Sequence, residues 1–227
     1  MEPELPSGLH AELRPYQVDG FHFLAYLATN HFGGILADDM GLGKTIQSLT
    51  YMLWLRHLAK EQGKHMPALV VCPKSVLDVW AVEAERFAPE LKVQVLRSRD
   101  ELDLDALRSE LDILVLNYAQ LRVGGEELNK VKWLVVVLDE GQQIKNPDSK
   151  AAKCARELNA ENRLVLTGTP IENRLMDMWS LMAFAMPGVL RATGGSGLVP
   201  VVAIDVSRTW DRTDPVERGE ALRVARE

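Results

Sequence analysis

The stretch Asp38-Asp39-Met40-Gly41-Leu42-Gly43-Lys44-Thr45 lies between an apolar run, Gly34-Ile35-Leu36-Ala37, and a helical pattern that opens at Ile46. A short apolar strand, a tight glycine turn and a helix in direct succession confine the chain to a narrow set of folds. Gly41 and Gly43 let the backbone approach a ligand closely, with N–H groups and the helix N-terminus directed at an anion. Lys44 then reaches the β- and γ-phosphates of a nucleotide, and the Thr45 hydroxyl is placed to ligate Mg²⁺. The general phosphate-loop pattern has Gly where this chain has Asp38.

Downstream, short apolar runs alternate with helical patterns. The runs are Gly34–Ala37, Ala68–Cys72, Val93–Leu96, Ile113–Leu116, Trp133–Leu138 and Leu164–Leu166; Val76–Phe87, Leu102–Glu110 and Lys150–Leu158 read as amphipathic helices. A further helix is expected across Tyr16–Phe32. Continuous apolar strands alternating with helices predict an α/β fold, a mostly parallel sheet covered by helices on both faces. In such sheets ligands bind beyond the carboxyl ends of the strands. The residues with chemical potential fall at those ends.

Trp133–Leu138 ends in Asp139-Glu140. Two carboxylates at the tip of a buried strand are costly unless paired, hydrogen-bonded or metal-bound. Beside a phosphate loop, taken here to lie on an adjacent strand, Asp139 can hold Mg²⁺ and Glu140 can orient or deprotonate an attacking water. Leu164–Leu166 runs into Thr167-Gly168-Thr169-Pro170. Chemistry alone does not choose there between a γ-phosphate sensor and a plain turn.

The formal charge of −6 gives no overall attraction for nucleic acid, although a local basic strip is compatible with it. Cys72 and Cys154 have no metal-ligand spacing and read as reduced thiols. The five histidines show no metal spacing either. Trp54, Trp80, Trp133 and Trp179 sit at apolar-periodic positions and are expected in the core. With no secretory signal and no membrane-length apolar run, a cytoplasmic location is expected.

Taken together, these segments resemble the Snf2 family of helicase-superfamily-2 ATPases, specifically a bacterial-type, truncated first RecA-like lobe. Leu13-Arg14-Pro15-Tyr16-Gln17-Val18-Asp19-Gly20 is similar to the Q-motif region, and Asp38–Thr45 to motif I, where the family also carries Asp. Val70–Trp80 resembles motif Ia, followed by Glu85-Arg86-Phe87-Ala88-Pro89. Leu114–Tyr118 resembles motif Ib, with Asn117 where the family more often has Thr. Leu138–Asn146 and Leu166–Asn173 resemble motifs II and III. Motif II usually continues with Ala and His after the acidic pair, where this chain has Gly141 and Gln142.

The resemblance implies that Gln17 reads adenine and that Met40, Gly41, Leu42, Gly43, Lys44 and Thr45 bind ATP. Thr45 and Asp139 would hold Mg²⁺, Lys44, Asp139 and Glu140 would be catalytic, and Gln142, Thr167 and Thr169 would couple nucleotide state to movement. It further implies double-stranded DNA as partner, gripped through its phosphates by Lys74, Ser75, Asn117 and Tyr118. The implied parent function is ATP-driven translocation on DNA; a nucleotide-binding fragment or interaction module without motor activity is the alternative.

The expected organisation is a lead-in at 1–32, the ATP-binding lobe at 33–188 and a tail at 189–227. The tail has six arginines and no lysine, whereas all ten lysines precede Cys154. It is expected to be a truncated or frame-shifted continuation, with a strand in Leu198–Val206 and a helix in Val216–Glu227. A second RecA-like lobe carrying arginine fingers is not found in these residues. It is either supplied by another chain or lost, and without it ATP would be bound but hydrolysed poorly.

Overall fold

The computed structural model describes residues 2–39, 41–98, 102–168, 175–187 and 203–204. Its centre is a sheet in the order β3-β4-β2-β5-β6-β1-β7, every neighbouring pair parallel. The strands are β1 (Gly34–Leu36), β2 (Ala68–Cys72), β3 (Val93–Val95), β4 (Ile113–Asn117), β5 (Trp133–Leu138), β6 (Ala160–Leu166) and β7 (Ala203–Ile204). The helices are α1 (Pro15–Thr29), α2 (Lys44–Glu61), α3 (Leu77–Phe87), α4 (Leu104–Ser109), α5 (Tyr118–Leu128), α6 (Lys150–Glu157) and α7 (Leu175–Ala185).

The period-two alternation of a strand divides the buried side chains between two cores. Val70, Cys72, Val135 and Val137 face one cluster with Leu24 and Leu27 of α1, Leu49 and Leu53 of α2 and Trp80 of α3. Leu69, Val71, Val136 and Leu138 face the other, with Leu121 of α5, Ala152 and Ala155 of α6 and Phe184 of α7. The sheet is therefore sandwiched between two helical layers, as the uninterrupted apolar runs require. Helix α1 belongs to the first core, and Pro15 at its first position fixes its start.

The register places the functional segments side by side. Leu36 pairs with Leu166, Leu138 with Val165, Val71 with Leu138, and Cys72 with Asn117. Along the carboxyl edge the loops thus follow one another from Asp38 to Thr167, Asp139, Lys74 and Asn117. Strand β6 lies between β1 and β5, so the phosphate loop and the acidic pair are one strand further apart than direct adjacency would place them. The expected tail strand contains β7, which pairs with β1 beyond the phosphate loop. The expected helix at Val216–Glu227 lies outside the described residues.

Three of the four tryptophans expected in the core behave as core residues. Trp80 and Trp133 are buried and Trp54 packs edge-on against Phe21, but Trp179 is 42 % exposed on α7. The apolar sequence of α7, LMDMWSLMAFA, has no polar face from which its outward side could be read.

Candidate active site

The phosphate loop leaves β1 and enters α2 through two left-handed glycines, Gly41 (φ +85°) and Gly43 (φ +76°). A Cβ on Gly43 would also lie 2.5 Å from the Gln17 amide nitrogen, so both conformation and space demand glycine there. The Lys44 ammonium donates to the carbonyls of Asp38 (2.8 Å) and Asp39 (3.0 Å), which draws its charge into the loop. Met40 lies outside the described residues.

Asp38, the departure from the general pattern, has a local explanation. Its carboxylate is fully buried and accepts from Gln47 Nε2 at 3.2 Å, tying the first half of the loop to the first turn of α2. Gln47 sits three residues after Lys44 on a buried helix face, and its Oε1 has no hydrogen-bond partner among the described residues. The Leu42 carbonyl accepts from the Tyr16 hydroxyl (3.3 Å) and from Gln17 Nε2 (3.3 Å), while Gln17 Oε1 accepts from the Arg14 N–H. Gln17 is therefore buried against the loop and braces it from α1. Sequence reasoning missed Tyr16 and Gln47; polar groups on otherwise apolar helix faces were the available signal.

At the end of β5, Asp139 is held from three directions. Its Oδ2 accepts from the Trp80 indole N–H at 2.9 Å, its Oδ1 accepts from Glu140 N–H at 3.0 Å, and its carbonyl accepts from the Tyr118 hydroxyl at 2.7 Å. Burial pushes its carboxyl above the ordinary value; the Trp80 bond and the Lys44 charge oppose this, and the Glu140 charge adds to it. Burial and the Asp139 charge likewise push the Cys72 thiol up to about 12. A cation beside Asp139 would relieve this cost, so the donor set of Thr45 and Asp139 suits a hard, oxygen-seeking ion.

Glu140 adopts a left-handed backbone (φ +52°), uncommon for a residue with a side chain and of a kind that clusters at active sites. Its Oε2 accepts from Gln142 Nε2 (2.5 Å), and Gln142 Oε1 accepts from the buried Thr167 hydroxyl (3.1 Å). This chain of bonds joins the end of β5 to the end of β6 through an amide that has no proton to lose near neutral pH. A Cβ on Gly141 would fall 2.2 Å from Val165 Cγ1, so the turn after the acidic pair passes directly over β6. Thr169 lies outside the described residues.

Further along the edge, Lys74 and Ser75 are exposed in a short 3₁₀ turn after β2. Asn117 caps α5, its Oδ1 accepting from Ala119 N–H (2.9 Å) and Gln120 N–H (3.1 Å). Asn and Thr both serve that capping role, which accounts for the substitution. Tyr118 is buried, with its hydroxyl bonded to the Asp139 backbone carbonyl. Between these positions lies a cavity of about 370 Å³ whose rim includes Lys74, Arg97, Asn117 and Gln120. No helix among the described residues is long and apolar enough to cross a membrane.

Comparison with known proteins agrees with this geometry. Residues 16–194 match the SNF2-related domain. The TATA-binding protein-associated factor MOT1 of Saccharomyces cerevisiae is 42% identical over 197 residues, 82% of this chain and 11% of MOT1. YwqA of Bacillus subtilis, named for an ATP-dependent helicase or translocase, is 34% identical over 221 residues, 96% of this chain and 24% of YwqA. The SWI2/SNF2 ATPase core of Sulfolobus solfataricus in complex with double-stranded DNA superposes with a TM-score of 0.74 at 36% identity, covering 99% of this chain and 45% of that one. The chain thus spans about a quarter or less of these two relatives and under half of the solved core. Its parallel α/β sheet is RecA-like, and the chain belongs to the SNF2-related domain family of ATPases.

Proposed function

We propose that these residues form the first, ATP-binding lobe of a motor that moves on or remodels double-stranded DNA. The observation that carries this reading is the order along one sheet edge: phosphate loop, Thr167, acidic pair, then the exposed Lys74 and the half-buried Asn117. The nucleotide half supports ATP as substrate. Lys44 and the amides from Met40 to Thr45 hold the triphosphate, and Gln17 reads the adenine edge from its place against Leu42. Thr45 and Asp139 hold Mg²⁺, which when bound neutralises charge on the β- and γ-phosphates. Glu140 aims the attacking water. Gln142 and Thr167, with Thr169, relay the state of the γ-phosphate site away from Glu140.

The DNA half fits sequence-independent contact with phosphates through Lys74, Ser75 and the Asn117 amide. We assign residues 1–32 as a lead-in, 33–188 as the lobe and 189–227 as a continuation that adds the β7 edge. A second RecA-like lobe completes the site with arginines, whose contribution to rate in phosphoryl transfer is about 10³–10⁵.

The DNA assignment is tested by titrating duplex binding against salt for the chain and for Lys74→Ala. Loss of one phosphate contact should weaken binding at every sequence tried. It should also lower the slope of log K against log salt by about 0.9. An unchanged slope and affinity would remove Lys74 from the interface.

A further inference from the structure

Three side-chain donors converge on one carbonyl behind the phosphate loop. The Leu42 oxygen accepts from the Tyr16 hydroxyl at 3.3 Å and from Gln17 Nε2 at 3.3 Å, and Gln47 Nε2 reaches it at 3.5 Å. Tyr16 and Gln17 come from the first turn of α1, Gln47 from the first turn of α2. Gln47 is fully buried, and the same amide nitrogen also holds the buried Asp38 carboxylate. A carbonyl oxygen has two lone pairs, so three donors around it leave it little freedom to turn.

Fixing that oxygen fixes the other side of the same peptide unit. The Leu42–Gly43 bond is trans, so the plane that carries the Leu42 C=O toward Tyr16 and Gln17 carries the Gly43 N–H the opposite way. Gly43 caps the start of α2, and its N–H meets no acceptor among the described residues. An N–H aimed outward from a helix start is the group that a phosphate oxygen takes up. Glycine accepts either sign of φ, so an unheld peptide plane here could rotate and turn that N–H away from the anion.

We propose that Tyr16 and Gln47 are positioning residues: by holding the Leu42 carbonyl they aim the Gly43 N–H at the phosphates of the nucleotide. This rests on the nucleotide reading above. Gln17 shares the carbonyl, but its assignment to adenine would mix base and phosphate effects in any substitution. Tyr16 and Gln47 separate them.

Leu42-Gly43 is the only Leu-Gly pair in the sequence, so isotopic labelling of leucine carbonyls and glycine amides isolates this one peptide unit in an NMR correlation spectrum. Its signal is followed with ADP and with adenosine for wild type, Tyr16→Phe, Gln47→Met and the double variant, with calorimetric affinities and thermal unfolding alongside. In the wild type, ADP should shift the Gly43 amide and adenosine should leave it in place. Each variant should move the Leu42 carbonyl signal before nucleotide is added and shrink the amide's response to ADP. The double variant should bind ADP about 10-fold more weakly and lose no more than about 2-fold for adenosine. A Gly43 amide that answers ADP as in wild type, or equal losses for ADP and adenosine, would overturn the proposal while leaving the nucleotide reading intact. Tyr16→Phe keeps its ring and decides the question alone should Gln47→Met fail to fold. A wild-type chain that binds neither ligand would overturn both.

Discussion

Lys44→Ala is expected to lose about 100-fold in ATP affinity while keeping its fold. In the wild-type loop the ammonium is drawn in by the Asp38 and Asp39 carbonyls at 2.8 and 3.0 Å, so its charge is stationed where a triphosphate meets the start of α2. A hydrogen bond to a charged group is worth about 1.5–3 kcal/mol, and each 1.4 kcal/mol is about tenfold in binding. The remaining loop geometry does not depend on the lysine. Gly41 and Gly43 keep their left-handed conformations, Gln47 still holds Asp38, and Gln17 and Tyr16 still hold Leu42. Calorimetric titration with ATP beside a thermal melt separates the two effects. A Lys44→Ala chain that melts as wild type but binds ATP equally well would exclude this loop as the phosphate site.

Gly141→Ala is expected to destabilise the lobe by about 1–3 kcal/mol, the usual cost of forcing one extra group into a packed core. The added methyl meets Val165 Cγ1 at 2.2 Å, and Val165 is a stiff, fully buried side chain in the middle of the sheet. For a chain of this size that corresponds to a fall in Tm of roughly 3–10 °C. Because the turn carries Glu140 and Gln142, their bond to one another and on to Thr167 should be disturbed with it. Combining Gly141→Ala with Val165→Ala makes this quantitative. The double variant should be more stable than the sum of the two single losses implies, since the truncation opens the space the methyl needs. Strict additivity would show that the contact is relieved elsewhere.

The strands were the most legible part of the chain, because a parallel sheet buried on both faces writes itself as continuous apolar runs. Trp133–Leu138 and Ala68–Cys72 have the bounds the sequence predicts. Strand β6 is longer than its apolar part because Ala160, Asn162 and Arg163 also ladder against β5. Asn162 finds the Leu134 carbonyl and Arg163 the carbonyls of Ala155 and Leu158, bonds that lie outside any local pattern. Helix α5 is not evident from periodicity, since Gly124-Gly125 interrupts it; its clearest mark is the capping box of Asn117 and Gln120.

Within the site, the phosphate loop and acidic pair were visible as local spacing. What could not be read was everything set by distant contact. The Trp80–Asp139 bond spans 59 positions and the Tyr118–Asp139 bond 21, so a core tryptophan holds the carboxylate and a tyrosine the backbone carbonyl of the same residue. Gln142 is the intermediate case. Its capacity to bridge motifs II and III follows from amide chemistry, but its two partners, Glu140 and Thr167, became definite only with the register of β5 on β6.

The most direct test of the proposed half-motor is ATP turnover by this chain with and without duplex DNA, using Lys44→Ala as the blank. ATP should bind, and hydrolysis should be slow, on the order of 10⁻³ s⁻¹ or below, as in phosphoryl-transfer sites that lack their arginine. Adding duplex should raise that rate only when a second RecA-like lobe is supplied. Rapid, duplex-stimulated and Lys44-dependent turnover by the chain alone would contradict the need for a second lobe.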